Sequence, residues 1–194
     1  MRIGRIYSAT SAGPGTYNGH QQGDVLNTST NYPVSHVGPG LLQNSAQDGI
    51  VFTAAESLLL QAEAVQKNYL TGSAQALYES AITESFKLLG LTAGDAATYY
   101  SQAINLVGWN GSANKIEAII NQKWIALNGI NGGETWIERT RTGYPAHVPL
   151  STVAPGTSRP IRLLYPSSEI AGNTANVPHQ VESEAFTSKI FWNQ

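Results

Sequence analysis

The sequence contains no cysteine, which removes disulfides, thiolate zinc sites and cysteine nucleophiles together. A chain without thiols suits oxidising and reducing compartments alike, so location stays open on this point. Charge is scarce as well: Asp, Glu, Lys and Arg make up 12% of the chain, about half the usual share. Eleven basic residues stand against 13 acidic ones, with no basic run, so a nucleic-acid partner is not expected. No stretch approaches the ~18–20 apolar residues of a membrane span. Residues 1–7 run into polar sequence rather than the apolar centre of a signal peptide. The chain is therefore read either as cytoplasmic or as starting inside a longer gene.

Catalytic signatures are missing too. There is no phosphate-cradling G-x-x-x-x-G-K-[ST] and no G-x-S-x-G elbow. His20, His36, His147 and His179 never pair at i, i+4 and none stands at a metal-motif spacing from a carboxylate. No metal and no cofactor is expected. Glu134 and Glu138 could share a helix face, but Arg139 and Arg141 are close enough to make them ordinary ion-pair members. Glu63, near an apolar face, reads as a structural hydrogen-bonding group.

Gly, Ser, Thr, Asn and Gln fill the place of the missing charge, a composition common on secreted surfaces that meet uncharged polar ligands. Residues 1–50 are punctuated by Gly13-Pro14-Gly15 and Gly38-Pro39-Gly40, which break helical and strand periods alike. A coil this long is uncommon in a compact domain unless it is functional or leans on other structure.

Order begins at Thr53. Thr53-Ala54-Ala55-Glu56 has the form of a capping box, and Ala55, Leu58, Leu59, Ala62 and Val65 follow at helical spacing. The periodicity predicts helices over about 53–69, 74–89, 95–107 and 112–128, with a shorter one from Glu134 to Arg141. Leu58, Leu59, Ala62, Tyr78, Ile120, Trp124 and Leu127 should be buried. In the first pair the large–small–large set Leu58, Ala62, Val65 and the small–aromatic–small set Ala74, Tyr78, Ala81 match the tetratricopeptide pattern. The second pair repeats it less faithfully with Tyr99, Ala103, Leu106, Ile116 and Ile120. The expected fold is mainly α: tetratricopeptide-like helical hairpins forming an α-α superhelix, with long coil segments at both ends. Residues 1–194 are taken as a single region, with coil over 1–50, helical repeats over 53–141 and a coil tail over 142–194 packed on the helices.

Aromatic residues in Gly- and Asn-rich loops suit sugar binding, because stiff rings lose little entropy when an apolar sugar face stacks on them. The candidates are Tyr17, Tyr32, Trp109 and Tyr144. Trp124 and Trp136 lie on helical stripes and are expected in the core.

The C-terminal third carries a longer pattern. Gln122-Lys123-Trp124-Ile125-Ala126-Leu127, then Glu134-x-Trp136, then Arg139-Thr140-Arg141-Thr142-Gly143-Tyr144-Pro145 resembles a block of the SusD/RagB family. Arg159-Pro160-Ile161-Arg162, Tyr165-Pro166-Ser167-Ser168-Glu169 and Asn173/Asn176 follow in that family's order, and the run from Phe52 to Ala64 resembles its first repeat helix. The ending Lys189-Ile190-Phe191-Trp192-Asn193 departs from the family's aromatic-aromatic-Asp finish at Phe and Asn. Arg2 falls where the family has Asp-Pro-Arg, which supports the reading of a truncated chain. The resemblance implies a cell-surface, outer-membrane lipoprotein without enzymatic activity. It would bind oligosaccharides, or in some branches peptides, and deliver them to a SusC-type TonB-dependent transporter. The lipid anchor and part of the ligand site would lie in a region absent here, so this chain alone should bind glycans weakly. The motif residues Trp124, Trp136, Arg141, Arg162, Tyr165 and Glu169 are read as scaffold, with Arg141 and Glu169, or Arg162 and a nearby carboxylate, pinning the C-terminal coil. A helical-repeat adaptor for peptide or protein ligands is the alternative. A glycosidase is a third reading, and it needs two carboxylates roughly 5–9.5 Å apart in a cleft.

Overall fold

Side-chain caps decide where the main helices begin. Thr53, Ser73, Thr92, Asn114 and Asn131 each take an extended or non-helical backbone and accept a hydrogen bond from the N–H three residues on, at 3.0–3.2 Å. Such a cap is worth about 1 kcal/mol, and this one device starts every long helix. In the computed structural model, which describes residues 1–23, 33–153 and 158–191, the elements are α1 (Ile3–Ile6), α2 (Ala54–Gln66), α3 (Ala74–Leu88), α4 (Ala93–Tyr100), α5 (Lys115–Ala126), α6 (Gly132–Thr142), α7 (Ser167–Gly172) and α8 (Glu184–Thr187). Among the described residues the sole β feature is an isolated bridge between Tyr7 and Val37.

Helices α2 and α3 pair across a short loop, α5 packs on α2 and α3, α4 lies along α3, and α6 lies on α5. Leu59, Ala62, Tyr78, Ala81, Ile82, Phe86, Ala96, Ala118 and Ile119 close the core. Small side chains at 62, 81 and 118 let the helix backbones approach, and Tyr78 and Phe86 fill the remaining space. Ile120 and Leu127 are buried as expected, whereas Leu58 is half-buried against the edge of the core.

The third helix is shorter than the periodicity predicts, ending at Tyr100 instead of Val107. Beyond Ser101 the chain turns back on itself. Leu106 takes a left-handed φ of 63°, its N–H is accepted by Ser112 Oγ at 2.9 Å, and that hydroxyl donates to the Gly108 carbonyl at 2.8 Å. Gly108 is needed here, because a Cβ would strike the Gln102 carbonyl. Tyr78 completes the arrangement by donating its phenol to the Val107 carbonyl at 3.0 Å. The loop satisfies its own polar groups, so the helical ladder has no claim on them. As a result α4 and α5 do not approach closely along their backbones; Gln122 bridges them by donating to the Tyr99 hydroxyl at 3.0 Å.

The amino-terminal segment lies on the helices and contains a one-turn helix where only coil was expected. Arg5 Nε donates to the Leu89 carbonyl at 2.7 Å, and the Tyr7 hydroxyl donates to Asn128 Oδ1 at 2.9 Å. Gly38 donates to the Ile6 carbonyl at 2.7 Å, so close that a side chain at 38 would meet the Arg5 carbonyl at 2.5 Å. Arg2 is buried, donating to Gln122 Oε1 and Ser85 Oγ, with the rings of Phe86 and Tyr99 about its guanidinium at 5.1 and 4.8 Å.

Candidate functional site

The loop that shortened α4 also builds a cavity. Trp109 stands in it, half-buried, with its ring 5.3 Å from that of Tyr78 and tilted by 58°. The Lys115 ammonium lies 5.2 Å from the indole centre and donates to the carbonyls of Trp109 and Ser112. Both contacts fix the indole, so a ligand meets a ring already in place. The cavity beside it measures about 370 Å³ and takes its walls from α3, the end of α4 and the loop, among them Gln75, Glu79, Tyr100, Gln102, Trp109 and Asn110. Gln75 donates to Glu79 at 2.8 Å, which orients one amide and one carboxylate toward the same space. Two aromatic residues beside amides and a carboxylate supply an apolar face together with donors and acceptors, as a sugar ring requires. Among the described residues Glu79 is the one carboxylate in its wall.

The four aromatic candidates from the sequence do not converge. Trp109 lines this cavity. Tyr17 lies elsewhere, its hydroxyl against Gly4 of α1, and the Tyr144 hydroxyl accepts from Asn114 Nδ2 at 2.9 Å beside the cis Tyr144–Pro145 bond. Tyr32 falls outside the described residues. The sequence reading passed over Gln75, Glu79, Tyr100 and Gln102. They are brought to Trp109 only because α4 stops at Tyr100, which the unbroken helical period concealed.

Trp124 and Trp136 require a correction. Both are half-buried rather than core residues, and they line a second cavity of about 440 Å³ with Arg139, Arg159, Thr140 and Pro160. The coil after α6, not another helix, covers that side.

The scaffold arginines also pair differently from expectation. Arg141 donates two bonds of 2.7 Å to the Glu63 carboxylate and a third to Glu138, joining α6 to α2 instead of holding the C-terminal coil. Burial pushes Glu63 up, but hydrogen bonds from Arg141 and Lys67 outweigh it and hold the carboxyl below the usual range. Its structural role is as read. Glu169 bonds to Asn173 at 2.7 Å, and Arg162 donates weakly to the Leu163 carbonyl at 3.4 Å. Tyr165 sits in that coil, its N–H donating to Gln180 Oε1 at 3.0 Å. Glu56 reaches inward to 3.7 Å from Lys123 rather than back to the Thr53 N–H.

Comparison with known proteins gives these features a family. Residues 3–166 match the model of a SusD-like family described as starch-binding and associating with the outer membrane. The chain belongs to the SusD-like family. Among solved structures this SusD-like chain resembles a SusD homologue of Bacteroides vulgatus at 25% identity and a TM-score of 0.69, over 89% of this chain and 41% of that one. A chitin-binding protein matches at 26% identity and a TM-score of 0.66 with the same coverage. A Bacteroides vulgatus structure described as an outer-membrane protein with an inferred part in nutrient binding matches at 29% identity and a TM-score of 0.59, over 73% of this chain and 33% of that one. The chain thus spans between a third and about two fifths of the length of these structures. No curated protein matches it. Among the described residues no helix is long and apolar enough to cross a membrane.

Proposed function

We propose that this SusD-like chain binds neutral oligosaccharides, as part of a cell-surface protein that passes them to a SusC-type transporter and performs no chemistry on them. The observation that carries the reading is the Trp109 cavity: a ring fixed from two sides, a second aromatic, and amides at its rim. The family description and the chitin-binding neighbour support the ligand class. Delivery to a transporter and lipid anchoring at the outer membrane rest on the family resemblance and belong to the whole protein. Tyr17, Tyr32 and Tyr144 remain candidates for further contacts in that larger assembly.

Calorimetry of the 194-residue chain against soluble chitin and starch oligosaccharides tests the proposal. Trp109→Ala should weaken binding about tenfold, the upper end of a single aromatic contact, and Asn110→Ala, at an exposed position, should weaken it without touching the core. Trp109→Phe, which keeps the packing on Tyr78, guards against mistaking unfolding for lost contact. Undiminished affinity in folded Trp109 and Asn110 variants would overturn the assignment of the cavity, and binding of peptides instead of sugars would overturn the ligand class.

A further inference from the structure

Trp124 and Trp136 share their cavity with two guanidiniums and, among the described residues, no carboxylate. Arg139 and Arg159 both line it, and neither Asp nor Glu is among its wall residues. In a chain whose formal net charge is −2, that is a local reversal of sign. Arg159 is held by donating to the Val148 carbonyl. Arg139 differs: its Nε is buried and has no hydrogen-bond partner, and among the described residues it forms no salt bridge. A buried guanidinium donor left unsatisfied is costly, and the neighbouring carboxylate Glu138 is already taken by Lys123 and Arg141. Burial and then the nearby Arg159 disfavour the Arg139 cation, a penalty that an anionic ligand would offset. A second opening of about 590 Å³ also has Arg139 and Arg159 in its wall, which gives the site an approach from solvent.

We propose that this cavity takes a uronic acid residue of an acidic glycan, the guanidiniums of Arg139 and Arg159 holding its carboxylate and the indoles of Trp124 and Trp136 its ring. The ligand is negatively charged because only an anion answers two unneutralised arginines. It is a sugar rather than a small inorganic anion because the wall also holds two indoles and the Thr135 and Thr140 side chains, whose hydroxyl oxygens can accept from sugar hydroxyls. The proposal rests on the glycan-binding reading, but it concerns a different cavity from that of Trp109.

Titration of the chain, followed by tryptophan fluorescence, with trigalacturonate, its methyl ester, a neutral trisaccharide, sodium acetate and sodium sulfate separates the cases. Trigalacturonate should bind at least about tenfold more tightly than its methyl ester, as a charge-assisted pair implies, and Arg139→Met and Arg159→Met should each abolish that preference. Arg139→Met removes no observed protein hydrogen bond from its side chain, so its melting temperature should not fall; Arg139→Lys should restore part of the preference. Equal binding of acid and ester, or an acid preference that survives both substitutions, overturns the proposal. Acetate or sulfate binding as tightly as trigalacturonate also overturns it, reducing the site to one for adventitious anions only. If neutral sugars bind and trigalacturonate shows no preference, this inference falls while the Trp109 reading stands. If the acid alone binds, and does so through the arginines, the Trp109 reading falls while this one stands.

Discussion

Lys123 has its side chain 2% exposed, with the Glu138 carboxylate at 2.7 Å and that of Glu56 at 3.7 Å. At the longer distance Glu56 contributes charge but no proper hydrogen bond. The two glutamates should therefore behave differently. Glu138→Gln removes the close partner of a buried ammonium and one partner of Arg141, and should cost about 3–5 kcal/mol, the usual loss when one member of a buried pair is deleted. Glu56→Gln leaves Lys123 its close partner and should change stability at pH 7 by less than ~1 kcal/mol. Urea denaturation of both variants checks the ordering, and equal losses would mean that the ammonium is shared evenly. Arg139 teaches the same lesson about neighbours. The sequence reads it as an ion-pair partner for Glu134 or Glu138, but adjacent helical residues point about 100° apart. Arg141, three residues after Glu138, can reach that carboxylate, whereas Arg139 turns to the cavity.

The same carboxylates link helices α2, α5 and α6, and their titration gives that junction a pH signature. Glu63 is held below the ordinary carboxylate value, so its contribution is present above its unfolded-state pKa and is lost as pH falls through the folded one. Glu56 runs the other way. Burial raises its carboxyl above the ordinary range, an effect that Lys123 reduces and Glu134 and Glu138 reinforce. Ionising it costs the folded state, and the cost grows as pH rises from the unfolded value through the folded one. Stability should fall on the acid side through Glu63 and also decline just above the ordinary carboxylate value of 4.5 through Glu56. Glu63→Gln should lower stability overall but flatten the acid limb, and Glu56→Gln should remove the decline above it. Denaturation midpoints between pH 3 and 8 measure both slopes.

Packing at the level of helix pairs is where the sequence was most legible. The pairing of α2 with α3 is legible because small residues, aromatics and caps agree on one register, although Leu58 and Val65 of the pattern are only half-buried. Ala62, fully buried where α2 packs against its neighbours, tests that register. Ala62→Leu should cost about 2 kcal/mol by overpacking and lower the melting temperature by about 4–8 °C in a chain this size. A calorimetric scan showing no loss would mean that the helices have room to separate. The end of α4 was not legible, because Tyr99, Ala103 and Leu106 keep helical spacing through residues that the loop's own hydrogen bonds remove from the helix. Trp124 misled for a related reason. A stripe on one helix shows which face is apolar but not whether helix or coil lies opposite, and the coil of residues 146–153 and 158–161 has no period to reveal itself.

At the scale of the whole molecule the candidate site is legible in the sequence only at one residue. Trp109 could be picked out as an aromatic residue in a loop of Gly and Asn, but its companions Gln75 and Glu79 come from a helix 30 or more residues earlier. Nothing in the local sequence marks that meeting. The low charge of the chain, 12% of its residues, bears on ligand binding. A neutral sugar held by an indole, a phenol and amides exchanges no counterions on binding, and the one nearby ammonium, Lys115, is occupied by the carbonyls of Trp109 and Ser112. Raising salt from 50 to 500 mM shortens the Debye length from roughly 14 to roughly 4 Å, which should leave neutral-oligosaccharide affinity unchanged within about twofold. The arginine pair predicts the opposite for an acidic glycan, whose binding should weaken severalfold over the same range because part of its attraction crosses solvent. Isothermal titrations of a neutral and an acidic trisaccharide at the two salt concentrations make the comparison on one protein. A salt-sensitive neutral ligand would show that charged groups outside the Trp109 cavity dominate its binding, and the ring-and-amide account of that cavity would then be wrong.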